Sequence, residues 1–247
     1  MILTADVGNT NITCGVYNDC CIVSKFRIPT NTNQDFVDDL KKNLGSLNIS
    51  GAIIGSVVDE INDRLCCAIE NVCRVKPIVL DYTSKMPITL NIENNSELGA
   101  DRIANGVRGW NLYKKAFIVV DLGTAITFDI VNSKGEFIGG LIAPGIKTQL
   151  DSLGNATSKL PNIEFDYVEK VIANNTRDAI LAGVVRGTAS MIDGMLDKTI
   201  EEMKDNPVII GTGGHCEIIS KYMNKRFDFI SPDFTLEGLK DLYYYNA

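Results

Sequence analysis

The chain has 247 residues, of which 45% are hydrophobic and 22% are charged, and its formal net charge is −7. This length and composition predict a folded protein with one large domain or two small ones, and they exclude a disordered chain. A pI near 4.8 excludes a general nucleic-acid binder, which needs a clustered basic face. A phosphorylated ligand would have to be bound by backbone N–H groups and a metal ion rather than by many lysines.

The cysteines and the single histidine narrow the chemistry. The seven cysteines include no CxxC pair, and we expect small buried side chains in a reducing cytosol. His215 has only one cysteine beside it, which does not favour a zinc site. Acid–base chemistry is therefore expected from carboxylates. The N-terminus has no signal-peptide pattern and no run approaches the ~20 apolar residues of a membrane span, so a cytoplasmic protein is expected.

Strands and helices alternate along the first half. The first 28 residues predict three strands, separated by turns at DVGNTN and Asn18-Asp19. A helix is predicted from Thr32, as its N-cap, through Leu44, with Gly45 as the stop. A buried strand at 51–58, an amphipathic helix at 61–72 and a strand at 77–81 follow. This order predicts an α/β fold with a largely parallel sheet core.

The second half repeats this pattern from Ala116 onward. An apolar strand again leads into an Asp-x-Gly turn, at Asp121 instead of Asp6, and a second strand follows. Lys134-Gly135 can close a further hairpin. Because the two turns lie roughly half the chain apart, we predict two similar α/β domains, 1–115 and 116–247.

A long helix is predicted from about Thr176 to Met203. Gly183 and Gly187 stand one turn apart in it, where each glycine costs about 1 kcal/mol of helix stability. Such a pair indicates close approach of another backbone. The sequence leaves open whether this backbone belongs to the same chain or to a second copy in a dimer.

The turn after the first strand has the residues of an anion site. Glycine at position 8 permits a positive φ, and successive N–H groups in such a turn converge on an anion. Asn9, Thr10 and Thr13 add neutral donors. The negative charge of Asp6 would repel a phosphate, so Asp6 fits this site only beside a cation that bridges it to the ligand. An ordinary hairpin turn is the alternative.

The second turn, at Asp121-Leu122-Gly123-Thr124-Ala125, favours the anion-binding interpretation. Two such hairpins predict a clamp on nucleotide phosphates between the domains. The P-loop and dinucleotide-binding glycine patterns do not occur. A third glycine turn, Gly211 to Gly214, could hold an adenine ring against bare backbone.

The motifs resemble those of type III pantothenate kinases, within the superfamily of acetate and sugar kinases, actin and heat-shock chaperone ATPases. Six motifs occur in the family's order over nearly the whole chain: DVGNTNIT (Asp6–Thr13), LGADR (Leu98–Arg102), DLGTAITFD (Asp121–Asp129), GGLIAPG (Gly139–Gly145), NTRDAI (Asn175–Ile180) and TLEGL (Thr235–Leu239). The resemblance implies two similar ribonuclease H-like domains with a nucleotide cleft between them.

The resemblance also implies an activity, the ATP-dependent phosphorylation of pantothenate to 4′-phosphopantothenate in coenzyme A synthesis. It implies a homodimer, a K⁺ or NH₄⁺ ion at Asp121, and Mg²⁺ with ATP near Asp6, directly or through water. Thr176 would contact pantothenate across the dimer, and Asp101 would accept the hydroxyl proton. The remaining implied ATP contacts are Asp6, Val7, Gly8, Asn9, Thr10, Asn11, Ile12, Thr13 and Thr124, and the remaining pantothenate contacts are Gly99, Ala100 and Arg102.

Elementary electrostatics supports two of these roles. Arg102 and the N-terminus of a helix beginning near Asp101 are expected to keep the Asp101 carboxylate ionised. The Arg102 guanidinium suits the pantothenate carboxylate. Each of these residues also has a purely structural interpretation. Asp101-Arg102 would then be an N-cap with a solvated neighbour, Asp121 a hydrogen-bonded turn residue, and Thr176 a helix cap.

One departure from the family's pattern concerns the substrate. Ile92 and Asn95 stand where the family usually has a tyrosine and often a proline. Either Asn91, Asn94 or Asn95 would hold the polar group of pantothenate in place of the missing hydroxyl, or that group would be bound more weakly. The sequence leaves two other functions open: a regulatory relative that assists transcription, and a kinase of another small hydroxyl compound.

Overall fold

The chain folds as two units in the computed structural model, which describes residues 1–30, 35–156, 160–224 and 227–247. Unit 1 comprises Met1–Leu112 and Phe234–Ala247, and unit 2 comprises Tyr113–Asp233. The predicted domains, 1–115 and 116–247, differ from these units in two respects. The boundary lies three residues earlier, after Leu112, and the last helix, whose residues the prediction placed in the second domain, belongs to unit 1.

Strands and helices follow each other in the predicted order. The strands are β1 (Ile2–Val7), β2 (Asn11–Asn18), β3 (Cys21–Pro29), β4 (Gly51–Ser56), β5 (Ile78–Val79), β6 (Thr89–Leu90), β7 (Phe117–Leu122), β8 (Ala125–Val131), β9 (Glu136–Pro144), β10 (Val208–Thr212) and β11 (Phe229–Ile230). The helices are α1 (Val37–Leu44), α2 (Asn62–Cys73), α3 (Ala100–Tyr113), α4 (Ile146–Ala156), α5 (Thr176–Leu181), α6 (Gly187–Met203), α7 (Cys216–Ile219) and α8 (Phe234–Asn246). The predicted N-cap of α1, Thr32, lies outside the described residues.

The sheet of unit 1 has the strand order β3-β2-β1-β4-β5. The β1–β2 and β2–β3 pairs are antiparallel, whereas β4 runs parallel to both β1 and β5. One face of the sheet packs on α1 and α2, where the apolar residues of the helices meet those of β1. Burial of these side chains stabilises the unit by about 25 cal/mol for each Å² removed from water.

Three glycines bring α3 and α8 close to the neighbouring elements of unit 1. A Cβ atom on Gly55 of β4 would lie 2.6 Å from Leu239, and one on Gly51 would lie 2.0 Å from the Tyr243 hydroxyl. On α8 itself, a Cβ atom on Gly238 would lie 2.1 Å from the Ala104 carbonyl oxygen of α3. A side chain at Gly238 would clash with the backbone of α3, and one at Gly51 or Gly55 would displace the Tyr243 or Leu239 side chain of α8. The helix α8 is therefore a closely packed layer of unit 1.

Unit 2 repeats the topology of unit 1. Its strands β11, β10, β7, β8 and β9 lie side by side in that order, which mirrors β5, β4, β1, β2 and β3. The β7–β8 and β8–β9 pairs are antiparallel, and the β7–β10 and β10–β11 pairs are parallel. The predicted duplication of an α/β domain is confirmed.

The long helix predicted from Thr176 to Met203 is confirmed and contains a π-helical segment at Ala182–Arg186. Among the described residues, this helix is long and apolar enough to cross a membrane by length and composition, which the sequence prediction did not anticipate. Half of its most apolar window is buried, and Leu181, Val185 and Ile192 lie in the core of unit 2. A buried core helix meets the same criterion, so the finding assigns no membrane span.

The cysteines differ from their expected placement. All seven are free, but only Cys14 and Cys216 are buried. Cys20, Cys21 and Cys67 are exposed, because the first two lie at the β2–β3 turn and the third lies on the outer face of α2. The expectation of small buried cysteines is therefore wrong for most of them.

Candidate active site

The β1–β2 turn of unit 1 is held by hydrogen bonds to its backbone. The Gly8 N–H donates to the Asn11 carbonyl oxygen over 3.0 Å. Thr30, which follows β3, donates its hydroxyl to the Gly8 carbonyl oxygen over 2.6 Å and its N–H to the Thr10 carbonyl oxygen over 3.0 Å. The side chains of Asn9, Thr10 and Asn11 remain exposed, so a fixed turn presents polar groups to a ligand.

Two details of this turn differ from the expectation. Neither Gly8 nor Gly123, its counterpart in unit 2, is among the described residues with a positive φ. Each donates its N–H to a carbonyl oxygen across its own hairpin. Val7 and Ile12 are fully buried, since they alternate with the polar residues along β1 and β2. Only their backbone groups are available to a ligand.

The first turn of α3 lies beside Asp6. Gly55 is the register partner of Asp6 in β4, so their side-chain positions share one face of the sheet. A Cβ atom on Gly55 would lie 3.4 Å from the Ala100 Cβ. The first residue of α3 therefore packs directly on the strand position next to Asp6. Asp101, the next residue, accepts the N–H of Arg102 at its Oδ1 over 2.8 Å. The structure therefore brings the Asp6 turn and the Gly99–Arg102 segment together within unit 1.

Asp6 and Asp101 form a partly buried pair of carboxyl groups. The pKa of Asp6 is raised from 3.8 to about 7, mainly by burial and then by the negative charge of Asp101, against a lowering by Arg27. Carboxylates that repel each other at low dielectric are a donor set for a hard cation, which neutralises both. Within the described ranges, no group of three or more His, Cys, Asp or Glu side chains forms a ready metal site.

The net shift of the Asp101 pKa is upward, opposite to the effect of the neighbours that the sequence analysis considered. The Arg102 charge and the backbone N–H groups at the start of α3 do lower its pKa, but burial outweighs them and the net pKa is raised. Desolvation disfavours the charged carboxylate. The sequence indicated the neighbours of Asp101 but not its burial, which depends on how α3 packs.

Arg27 is a charged residue that the sequence analysis did not single out. Asp6 pairs with Thr13 across β1 and β2, and Thr13 pairs with Arg27 across β2 and β3. Residues in register share a face of a sheet, so the three form one row. The sequence did contain an indication of this row, because Arg27 lies two strands from Asp6 in the predicted meander of three strands.

The segment before α3 contains the asparagines that could replace the family's tyrosine. The Asn94 side chain is used locally, since its Oδ1 accepts the N–H and hydroxyl of Ser96 over 3.2 and 2.7 Å. The Oδ1 atom of Asn95 is buried and accepts no hydrogen bond from the described residues. Asn91 is exposed and Ile92 is partly buried. Of the three asparagines, Asn95 has the unsatisfied acceptor.

The β7–β8 turn of unit 2 is built like its counterpart. Asp121 lies near the end of β7, and the Gly123 N–H donates to the Ala125 carbonyl oxygen over 3.0 Å. The exposed Thr124 accepts two bonds of 2.9 Å at its carbonyl oxygen, from the Gly145 N–H and the Thr148 hydroxyl. These bonds tie the hairpin to the start of α4.

The third glycine turn lies against this hairpin. Thr212 of β10 is the register partner of Asp121. Gly213 has φ +89°, and a Cβ atom on it would lie 2.5 Å from Asp121 Oδ1 and 2.6 Å from the Leu122 backbone. Only glycine adopts this conformation in this space. Unit 2 thus brings together the Asp121 hairpin and the Gly211–Gly214 turn, as a shared ligand would require.

Thr176 and the glycine pair lie on the long helix of unit 2. Asn175, not Thr176, is the N-cap, since its Oδ1 accepts the Asp178 N–H over 2.9 Å; Thr176 is the exposed first residue of α5. Cβ atoms on Gly183 and Gly187 would meet nothing within 4 Å. The close contact within the chain that the sequence left open is therefore absent from the described residues.

Comparison with known proteins shows which protein family the chain matches. The family model described as type III pantothenate kinase matches residues 2–198. A type III pantothenate kinase of Persephonella marina is 38% identical over 256 residues, with 100% of both chains covered. That of Syntrophus aciditrophicus is 37% identical over 255 residues, also with 100% of both chains covered.

Solved structures share the fold at low identity. A Campylobacter jejuni protein described as a conserved Baf family transcriptional activator has a TM-score of 0.60 and 21% identity, covering 97% of this chain and 96% of that one. MreB 5 of Spiroplasma citri has a TM-score of 0.54 and 11% identity, covering 98% and 96%. The predicted actin and sugar-kinase fold is confirmed.

Proposed function

Because the chain belongs to the type III pantothenate kinase family and phosphorylates pantothenate with ATP in coenzyme A biosynthesis, we propose which of its residues carry out each part of that reaction. It is a phosphotransferase with an alcohol acceptor. The observation that carries the proposal is the position of Asp101, beside the Asp6 turn and at the start of α3.

Asp101 accepts the proton of the attacking hydroxyl group. As the pantothenate oxygen forms its bond to the γ-phosphorus and the bond to the ADP oxygen breaks, the hydroxyl proton moves to the Asp101 carboxylate. A carboxyl group with a raised pKa is a stronger base than an exposed one and matches this task better. The N–H of Arg102 holds Oδ1, which leaves Oδ2 for the proton.

The two hairpins bind the phosphates. In unit 1, the exposed side chains of Asn9, Thr10 and Asn11 and the backbone of the Asp6–Thr13 segment donate to phosphate oxygens. In unit 2, Thr124 donates from the tip of its hairpin. Phosphoryl transfer depends mainly on such positioning and on charge neutralisation.

Pantothenate is bound next to Asp101. Gly99 and Ala100 line its site with backbone, and Arg102 pairs its two-pronged guanidinium with the pantothenate carboxylate. The unsatisfied Oδ1 of Asn95 accepts a hydrogen bond from an amide or hydroxyl group of the substrate and replaces the family's tyrosine. A buried acceptor without a partner costs free energy until a ligand satisfies it.

Two cations complete the site. Mg²⁺ with ATP is held near Asp6, directly or through water, and its charge stabilises the paired carboxylates and the phosphates. K⁺ or NH₄⁺ is held by Asp121, whose hard oxygen atoms suit such ions better than transition metals. The raised pKa of Asp6 supports the first assignment, because a cation there offsets the repulsion from Asp101.

The enzyme acts as a cytoplasmic homodimer. An exposed face of small residues, Ala179, Gly183, Gly187 and Gly194, runs along α5 and α6 with open space beside its glycines. A second copy that packs there would place a polar contact, Thr176, at the pantothenate site of its partner.

A turnover assay tests the function. Purified protein with ATP, Mg²⁺ and K⁺ is expected to convert pantothenate to the 4′-phosphate, measured by mass spectrometry and ADP release. A panel of other small alcohols is the control. Nucleotide binding with no phosphate transfer would indicate a regulatory relative, and transfer only to another alcohol would indicate a different kinase.

A further inference from the structure

Arg27 is an exposed arginine near the end of β3. Within the residues that the structure describes, it forms no hydrogen bond, ion pair or ring contact. By contrast, Arg108 and Arg177 each form ion pairs with two carboxylates. A guanidinium group carries several N–H donors and a permanent charge. Those of Arg27 are therefore available to a ligand.

The strands place Arg27 on the face of the unit 1 sheet that carries Asp6. Asp6 is the register partner of Thr13, and Thr13 is that of Arg27. Neighbouring strands lie about 5 Å apart, so β3 is about 10 Å from β1. An extended arginine side chain covers much of this distance. The charge of Arg27 does reach Asp6, since it lowers the pKa of that carboxyl group against the larger effects of burial and of Asp101.

The two ends of this row differ in what covers them. On the β4 side, the position of Gly55 is covered by Ala100 of α3. On the β3 side, Thr13 is only partly buried and Arg27 is exposed. A ligand that enters above Thr13 therefore meets the Arg27 side chain on one side and the start of α3 on the other.

Hydrogen bonds fix the backbone of β3 against the turn that we assign to the phosphates. Just after Arg27, Thr30 donates its hydroxyl to the Gly8 carbonyl oxygen over 2.6 Å and its N–H to the Thr10 carbonyl oxygen over 3.0 Å. The arginine thus stands on a scaffold that is tied to the phosphate turn. A charge in a fixed position stabilises a developing negative charge without a cost of reorganisation.

The proposed reaction requires positive charge on this face. The transferred phosphoryl group is negative and passes beside the carboxyl groups of Asp6 and Asp101, and only part of the triphosphate charge is neutralised by a bound Mg²⁺. Arg102 is assigned to the pantothenate carboxylate. The planar guanidinium of Arg27 can donate parallel hydrogen bonds to two oxygens of one phosphoryl group.

We propose that Arg27 is a further catalytic residue, which binds the γ-phosphoryl group of ATP and holds it during transfer. The pantothenate oxygen bonds to the γ-phosphorus while the bond from this phosphorus to the ADP oxygen breaks. Arg27 donates to the non-bridging oxygens throughout and keeps its protons, and the hydroxyl proton goes to Asp101. The inference rests on the proposed function and deepens it, because that function leaves phosphate binding to the two hairpins alone.

The first test compares two nucleotides that differ by the γ-phosphoryl group. Calorimetry with Mg²⁺ measures binding of ADP and of a β,γ-imido analogue of ATP, without pantothenate. Arg27→Gln is expected to weaken binding of the ATP analogue about 10-fold and to change that of ADP less than about threefold. Because Arg27 is exposed, the variant is expected to fold, which circular dichroism checks. Equal effects on the two nucleotides, or no effect on either, would overturn the proposal.

Lys25→Gln is the matched control for both tests. Lys25 is exposed, carries the same charge and precedes Arg27 by two residues, so its position is on the same face of β3 but further from the turn. Its removal is expected to leave both dissociation constants within about threefold. A loss of ATP binding as large as that of Arg27→Gln would show a general charge effect and overturn the proposal.

The second test uses steady-state kinetics with pantothenate. Arg27→Gln is expected to lower kcat about 10²- to 10³-fold and to leave the KM for pantothenate within about threefold. Arg27→Lys keeps the charge without the two-pronged geometry, so it is expected to recover part of the activity. A raised KM for pantothenate with a normal kcat would place the arginine at the acceptor carboxylate and overturn the proposal.

The outcomes separate this proposal from the function. If the unaltered protein phosphorylates pantothenate and Arg27→Gln does so with the same kcat, the role of Arg27 is overturned and the kinase stands. If the unaltered protein does not phosphorylate pantothenate, the function fails. A selective loss of binding of the ATP analogue in Arg27→Gln would then still support the phosphoryl site.

Discussion

The carboxyl group of Asp101, at the start of α3, lies close enough to Asp6 of β1 for its negative charge to raise the Asp6 pKa. The two residues meet because Gly55, the strand partner of Asp6, leaves room for Ala100. A base for the pantothenate hydroxyl and a ligand for the ATP-bound cation thereby share one side of unit 1.

Replacing Asp101 tests the proton acceptor. Asp101→Asn keeps an oxygen that can accept the Arg102 N–H but cannot take up a proton, so kcat is expected to fall by about 10²- to 10⁴-fold. The dissociation constant for ATP, measured by calorimetry, is expected to change by less than about threefold. Glu93→Gln, at an exposed carboxylate before α3, is the control. A variant with near-normal kcat would rule out Asp101 as the base.

The pH dependence of stability tests the buried position of Asp6. The pKa is raised from 3.8 to about 7 on folding, so the unfolded chain loses this proton first. The stability that Asp6 contributes is complete below about pH 4 and is lost as the pH rises through about 7. The free energy of unfolding without nucleotide, measured by urea denaturation, is expected to fall over this range by on the order of 3 kcal/mol on account of Asp6.

The variant Asp6→Asn isolates this contribution, since other groups also titrate. Its stability is expected to vary less between pH 5 and pH 7.5 than that of the unaltered protein, whereas Asp38→Asn, on the surface of α1, is expected to retain the full dependence. Identical pH profiles for Asp6→Asn and the unaltered protein would contradict the burial of this carboxyl group.

Cation removal tests the two proposed ions. Without a cluster of lysines at the phosphates, ATP binding is expected to depend on Mg²⁺, and turnover is expected to fall at least about 100-fold with EDTA. Replacing K⁺ by Na⁺ or Tris is expected to lower turnover as well. In Asp121→Asn the response to K⁺ is expected to disappear, with Glu202→Gln as the control. ATP binding that EDTA leaves unchanged would refute the cation assignment at Asp6.

Adjacent glycines in the third turn provide a matched comparison. Gly213→Ala places a methyl group within 2.6 Å of Asp121 and of the Leu122 backbone at a positive φ, whereas Gly214→Ala meets nothing within 4 Å. The first is expected to destabilise the protein by about 1–3 kcal/mol and to raise the KM for ATP. The second is expected to leave the thermal midpoint within about 1 °C. Equal effects would show that the turn does not pack on the hairpin.

The oligomeric state tests the small-residue face. Gly187→Glu adds a charged side chain where the chain itself leaves open space, so the fold is expected to persist and the proposed dimer to dissociate. Light scattering after gel filtration is expected to give the monomer mass, with a dimer for the unaltered protein and for Ser46→Glu. A dimer of Gly187→Glu with unchanged activity would place the interface elsewhere.

The sequence predicted much of the architecture because the pattern of strands and turns occurs twice. An apolar strand that ends in Asp-x-Gly specifies the hairpin through neighbouring residues alone. Such local features can be predicted from the sequence. The position of Arg27 in the row of Asp6 required strand register, which depends on the turns on both sides. The direction of the Asp101 pKa required its burial, which depends on α3 packing against a glycine in another strand.

The same limit applies to features set by long-range packing. The general expectation that cysteines are buried misplaced Cys67, which lies on the face of α2 away from the buried Leu65 and Ile69. Such features become visible only when the elements are assembled.

The place of α8 in unit 1 has a consequence for biogenesis. Synthesis proceeds from the N-terminus, so Met1–Leu112 leave the ribosome long before Phe234–Asn246, the layer that covers Gly51 and Gly55. The half that begins first cannot be finished until the other half has been translated. Nascent chains stalled before residue 234 should therefore expose this sheet surface and recruit chaperones, whereas Tyr113–Asp233 has all its own segments by then.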